Sequence, residues 1–146
     1  MPAKRILVAD DDPVVRQTLS RLLSMNSGLE VCDAAVDGQD AVIKAEKYRP
    51  DLVILDLSMQ ILNGLEAAAE ISRIVPDVRI ILFSAYGPRL EDVDITAFGI
   101  TRVVSKDDNI LRHVADLLDT AGADTTPARA SALSKKRKPA NNRSNE

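Results

Sequence analysis

Tryptophan is absent from this 146-residue sequence, and phenylalanine and tyrosine contribute two residues each. Aliphatic side chains must therefore fill the core. Cys32 is the single cysteine, so no intrachain disulfide can form; in a strand-like stretch it reads as a small packed hydrophobe. His113 is the single histidine and falls on the polar side of a helical pattern, which excludes a histidine-based metal site. No apolar run approaches the ~20 residues of a membrane span, and no N-terminal run resembles a secretion signal. Together with the lone thiol, this leads us to expect a cytoplasmic protein without membrane contact.

Charge of one sign is scarce in one stretch. Residues 1–121 carry 13 Lys/Arg against 20 Asp/Glu, a net of −7, whereas residues 122–146 carry 6 against 2, a net of +4. Large apolar residues almost vanish beyond Gly122. The sequence thus predicts one domain over 1–121 and a disordered basic tail over 122–146. The tail holds KKRKP, and Lys135, Lys136, Arg137 and Lys138 are its only candidate contact with nucleic acid; a solvated, solubilising segment is the simpler reading.

Short β-rich runs at 5–9, 29–35, 52–55, 78–83 and 102–105 alternate with helix-period runs. The first helix is marked by Asp12 as N-cap, Pro13 at its first position, and Val14, Val15, Thr18, Leu19, Leu22 and Leu23 on one face. Others are expected over 38–48, from Gly64 to before Pro76, weakly over 89–98, and from Ile110 to a stop at Gly122. Five βα units imply an α/β fold, a doubly wound parallel five-stranded sheet with helices on both faces.

Ligands of such folds bind at the carboxyl ends of the strands. Asp10, Asp11 and Asp12 follow the first strand, Asp56 ends the apolar run LVIL, Ser84 ends the fourth strand and Lys106 follows the fifth. Clustered carboxylates repel one another and call for a cation; all-oxygen ligands suit Mg²⁺. A carboxylate can act as nucleophile toward a phosphoryl group, with Lys106 offsetting charge and a hydroxyl donating to an oxygen. Asp12, by contrast, reads as a cap and nothing more.

ILVADDDPVVRQTL at 6–19, VILDLSM at 53–59, NGLEA at 63–67, ILFSA at 81–85 and VVSKD at 103–107 together resemble the receiver domain of two-component response regulators, over about residues 4–121. The resemblance implies the (βα)5 flavodoxin-like sheet order 2-1-3-4-5. It implies Asp56 as phosphoacceptor, Asp11 as direct metal ligand, Asp10 acting largely through water, and Ser58 offering its backbone carbonyl to the metal. It makes Ser84 the switch hydroxyl and Lys106 the phosphoryl-pairing lysine. The backbones of Leu57, Ser58 and Ala85 would contact the phosphoryl group, and the cofactor would be Mg²⁺ or Mn²⁺. The implied phosphodonor is a histidine kinase or phosphotransfer protein, and the face of the fourth helix, fifth strand and last helix would serve a partner or a homodimer. Such a protein catalyses only its own phosphorylation and dephosphorylation.

The chain departs from the family at Gln60, where proline is usual, at Val103, where an aromatic switch is usual, and at Asp107, where proline and a cis peptide are usual. Tyr86 could gate the pocket or simply cover a loop. Two other readings compete. DDDPVV also fits haloacid-dehalogenase-type phosphatases, with Asp10 as nucleophile, Asp12 as acid/base, and Ser84, Lys106 and Asp107–Asp108 as later motifs; Asp56 would then have no role. A phosphorylation-independent binding module would leave the acids idle.

Overall fold

The computed structural model describes residues 2–85, 90 and 92–118. The chain divides after Leu111, and all the strands and the first three helices lie in the first unit. Five strands, β1 (Lys4–Ala9), β2 (Leu29–Ala35), β3 (Leu52–Leu55), β4 (Arg79–Ser84) and β5 (Arg102–Ser105), alternate with helices α1 (Pro13–Ser24), α2 (Gly38–Tyr48) and α3 (Gly64–Ile74). A last helix, α4, spans Ile110–Leu118. The sheet is all parallel in the order β2-β1-β3-β4-β5. Successive strands are therefore added on one side of β1 and then on the other, so a crevice opens at the carboxyl ends of β1 and β3.

Alternation along the central strands sorts the core. Leu7, Ala9, Val53, Leu55, Ile80 and Leu82 lie in one buried cluster with Ala41 and Ala45 of α2 and Ala67, Ala68 and Ile71 of α3. Small alanines let these two helices sit close to the sheet. The alternate residues Ile6, Val8, Ile54 and Ile81 are equally buried on the opposite face. Cys32 packs at the edge of the first cluster, its thiol 3.4 Å from the Ile6 carbonyl, and burial pushes its pKa up. No helix of the described residues is long and apolar enough to cross a membrane.

Three expectations need correction. The apolar face of α1 buries only Leu19 and Leu23 fully; Val14 is 68% exposed and Leu22 is also on the surface. A fourth helix was expected over 89–98; among the described residues of that stretch, Ile95–Phe98 form a 3-10 turn closed by Gly99 at φ 78°. The sparse apolar pattern offers no continuous helical stripe to dock. The fourth strand runs from Arg79 through Ser84, one residue later than expected at both ends. Tyr86, Gly122 and the KKRKP run lie outside the described residues.

Candidate functional site

Each candidate side chain sits where a strand ends. The Asp10 N–H donates to the Ala35 carbonyl (3.1 Å) and the Asp56 N–H to the Ala9 carbonyl (3.0 Å), which carries the sheet ladder one residue past β1 and β3. The two aspartates are thereby fixed side by side. At the far side, the Lys106 N–H donates to the Ser84 carbonyl (3.2 Å), tying the end of β5 to the end of β4. Asp12 caps α1 by accepting from the Val14 N–H (2.9 Å). Its carboxylate is engaged as a helix cap, as the sequence suggested.

The carboxylate oxygens of Asp10, Asp11 and Asp56 come within 4.8 Å of one another. Asp10 and Asp56 are only 1% and 7% exposed, whereas Asp11 is open to solvent. Lys106 reaches in from the fifth strand end: its Nζ is 3.1 Å from Asp10 Oδ2 and 3.3 Å from Asp56 Oδ1. The other oxygen of Asp10, Oδ1, accepts the Asp12 N–H at 2.9 Å.

The electrostatics follow. Burial raises the pKa of Asp56 above the usual carboxylate value, and the charge of Asp10 raises it further; Lys106 and the Ser58 N–H pull the other way without overcoming them. For Lys106, burial works against the charged form, but hydrogen bonding and charge from Asp10, then from Asp56, hold its pKa above the ordinary lysine value. One ammonium thus serves two buried carboxylates while a third stands at the mouth. The set fits a hard cation: three oxygen ligands, two of them shielded from water and one open for entry, with more negative charge than Lys106 can offset.

Ser84 is fully buried at the end of β4, beside Lys106 in the ladder. Ser58 is exposed two residues after Asp56, and Ala85 is exposed one residue after Ser84, so the backbones named by the sequence reading lie at the same edge of the sheet. Val103 is half-buried against the core, where no ring is available to rotate. There is no cis peptide among the described residues, the Lys106–Asp107 bond included, as Asp107 led us to expect. His113 takes no part in the acid cluster.

Two features were not legible in the sequence. An open cleft of about 300 Å³ lies along α1 beside the acids, lined by Val14, Val15, Leu22, Phe83 and Lys106 among others. Also, the loop after Asp56 is strained. Ile61 has φ 70°, and the Leu62 N–H donates across it to the Gln60 carbonyl at 2.8 Å, a γ-turn of the rarer, positive-φ kind. A β-branched residue there is an outlier that costs roughly 1–2 kcal/mol. Its side chain, 70% exposed, gains little from burial in return. Ile61→Asn, which tolerates positive φ, is therefore expected to stabilise the fold by about 1 kcal/mol and raise the urea midpoint. An unchanged or lower midpoint would show that the turn is held without strain.

The family model of the response regulator receiver domain matches residues 6–116. The chain is 36% identical over 109 residues to a protein-glutamate methylesterase/protein-glutamine glutaminase of Methanosarcina barkeri, covering 73% of this chain and 30% of that protein. It therefore spans less than a third of that relative's length. Among solved structures, it resembles the response regulator TrrA of Thermotoga maritima, crystallised in complex with Mg²⁺ and BeF, with TM-score 0.69 and 35% identity over 78% of this chain and 98% of that one. It also resembles the signal receiver domain of the putative response regulator NarL of Mycobacterium tuberculosis, with TM-score 0.73 and 27% identity over 85% of this chain and all of that one.

Proposed function

Because this chain belongs to the response regulator receiver domain family, we propose that it is a phosphorylation-dependent switch of a two-component system with Asp56 as phosphoacceptor. The observation that carries this reading is the meeting of Asp10, Asp11 and Asp56 with Lys106 at the carboxyl edge of the sheet. The same meeting weighs against the phosphatase reading, because Asp12 is occupied as a cap and Asp56 stands at the centre.

An Asp56 carboxylate oxygen attacks the phosphorus of a phosphohistidine on a histidine kinase or phosphotransfer protein. A P–O bond forms, the P–N bond breaks, and the imidazole leaves, taking a proton from solvent. Lys106 would offset charge on the transferring oxygens, the Ser84 hydroxyl would donate to one of them, and the backbone N–H groups of Leu57, Ser58 and Ala85 would donate to others. Asp10, Asp11, Asp56 and the Ser58 carbonyl would hold Mg²⁺ or Mn²⁺, which when bound supplies countercharge to the carboxylates and the phosphoryl oxygens. Hydrolysis reverses the change: water attacks phosphorus and the Asp56 carboxylate is released. No metabolite is turned over.

The α1 cleft, apolar and continuous with Lys106, suits the donor protein as a docking surface. Without an aromatic residue at Val103, the phosphorylated state is signalled through Ser84 and the backbone around it. A partner, or a second copy, would read a surface that includes β5. The polar edge, the absence of a membrane-spanning helix among the described residues and the lone thiol suit a cytoplasmic setting.

The test is intact mass after incubation with acetyl phosphate, with and without Mg²⁺. The expected result is an adduct of about 80 Da on wild type, only with Mg²⁺, and none on Asp56→Asn. An adduct that survives Asp56→Asn, or multiple turnovers on a generic phosphoester, would sink the reading.

A further inference from the structure

Arg16 sits on the second turn of α1, inside the stretch 6–19 quoted above, but no role was assigned to it from the sequence. Its main-chain N–H donates to the Asp12 carbonyl at 3.0 Å, as the helix requires. Its side chain turns back past the helix start, and Nη1 donates to the Asp10 carbonyl at 2.7 Å. One residue thus holds the carbonyls of both chain neighbours of Asp11. Asp10 itself is tied at every polar atom: its N–H to Ala35, its carbonyl to Arg16, Oδ1 to the Asp12 N–H and Oδ2 to Lys106. Asp11, between the two carbonyls that Arg16 holds, has no hydrogen-bond or ion-pair partner among the described residues.

From this geometry we infer that Arg16 is a positioning residue for the divalent cation: it fixes the β1–α1 turn so that the Asp10 and Asp11 carboxylates are presented together. The inference rests on the metal-dependent switch proposed above. A hydrogen bond from a charged donor to a half-buried carbonyl is among the stronger kinds. Without it Asp10 keeps its N–H bond to Ala35 and its carboxylate bonds to Asp12 and Lys106, but its carbonyl is released, and the peptide that leads from Asp10 into Asp11 gains freedom to rotate. Two effects of opposite sign are in play. The guanidinium charge repels an incoming cation, and its removal alone would tighten binding. Loss of the fixed turn weakens binding. The charge lies near the protein surface, where Coulomb terms are screened, whereas ligand geometry is felt at full strength by a small, rigidly octahedral ion such as Mg²⁺. Geometry wins.

The test is calorimetric titration of Mg²⁺ alone into the full chain, for wild type, Arg16→Met and Arg16→Lys, with thermal midpoints measured in EDTA. The expected result is a several-fold weaker Kd for Arg16→Met and a smaller loss for Arg16→Lys, which keeps a donor on a flexible stem. The acetyl phosphate reaction of Arg16→Met should approach the wild-type rate at saturating Mg²⁺, because no group that touches the phosphoryl is lost. An unchanged Kd with a lower EDTA midpoint would reduce Arg16 to a structural role and overturn the inference. A tighter Kd would show that charge repulsion decides, and would overturn it equally. Should Arg16→Met fail to fold, the Kd of Arg16→Lys decides alone, with a wild-type value overturning the inference. Wild type that binds no Mg²⁺ would instead remove the reading on which the inference rests.

Discussion

Asp56→Asn is expected to stabilise the metal-free protein at neutral pH. The reason is the raised pKa of Asp56, caused first by burial and then by the Asp10 charge. A carboxyl whose pKa is higher in the folded than in the unfolded state binds its proton more tightly when folded. Its ionisation therefore opposes folding. The penalty is absent below the unfolded value of about 3.9, grows as pH rises from there, and is complete once pH has passed the folded value. Asparagine keeps the shape and removes the charge. Lys106 loses one partner but keeps Asp10 at 3.1 Å. A gain of about 1 kcal/mol is expected at pH 7 in EDTA, fading as pH falls toward 4. Mg²⁺ should reverse the order, since a ligand that binds only the folded state stabilises it by mass action and wild type holds the fuller ligand set. Urea denaturation of both proteins at several pH values, with EDTA or Mg²⁺, checks all three statements. A variant less stable than wild type in EDTA at pH 7 would mean that the Lys106 pair outweighs the burial of the charge. The substitution that abolishes the proposed phosphorylation would thus make the protein sturdier, which separates loss of function from loss of fold.

Gly38→Ala is expected to have the larger effect on stability, in the opposite direction. Alanine is the better helix former by about 1 kcal/mol, and Gly38 opens α2, so propensity alone predicts a gain. Packing predicts the reverse. A Cβ on Gly38 would lie 1.9 Å from the Leu62 carbonyl oxygen, and the Gly38 N–H donates to the Gln60 carbonyl at 3.3 Å. Both neighbours are backbone and cannot swing away as a side chain would. To clear the contact, α2 and the loop after Asp56 must part by more than an ångström, losing the hydrogen bond and opening the alanine-lined packing of α2. A loss of about 3 kcal/mol follows, with a fall of roughly 10 °C in thermal midpoint. Because that loop carries Leu57 and Ser58, the acetyl phosphate reaction should also slow in protein that remains folded. A midpoint within a degree or two of wild type would show that the loop yields cheaply. Gly64 brackets the loop at its other end, where a Cβ would stand 2.6 Å from the Asp56 carbonyl oxygen. Gly64→Ala should therefore behave in the same way.

Much of this site was legible in the chain. An acid at the end of a fully apolar run cannot face the core, so Asp56 had to emerge at the sheet edge. Asp10 and Asp11 after β1, Ser84 at the end of β4 and Lys106 after β5 follow by the same logic, because the βα rhythm sends every strand end to one side. β2, β3 and β5 and the starts of α1, α2 and α3 lie where the sequence put them. They are set by periodicity and caps, which act over a few residues: Asp12 to Val14, Asp37 to Asp40, and the reciprocal pair of Asn63 and Glu66. The fourth helix was misjudged where that local signal was weakest.

Interactions between residues distant in sequence were decided only by the tertiary structure. Lys106 meets Asp10 across 96 positions of chain, and nothing local to either residue says whether the ammonium will reach one carboxylate or two. Gly38 is glycine because of Leu62, a neighbour only once α2 has docked. Val14 and Leu22 share the helical stripe of Leu19 and Leu23, yet they border an open cleft, because the width of the covered strip depends on where the neighbouring elements end. The Arg16 bond to Asp10 spans only six residues, but it forms because β1 stops and α1 starts at the angle the sheet imposes. Pattern and capping fix which chemical groups reach the sheet edge; the distances that give those groups their charge state and their work are set when the sheet closes and water leaves.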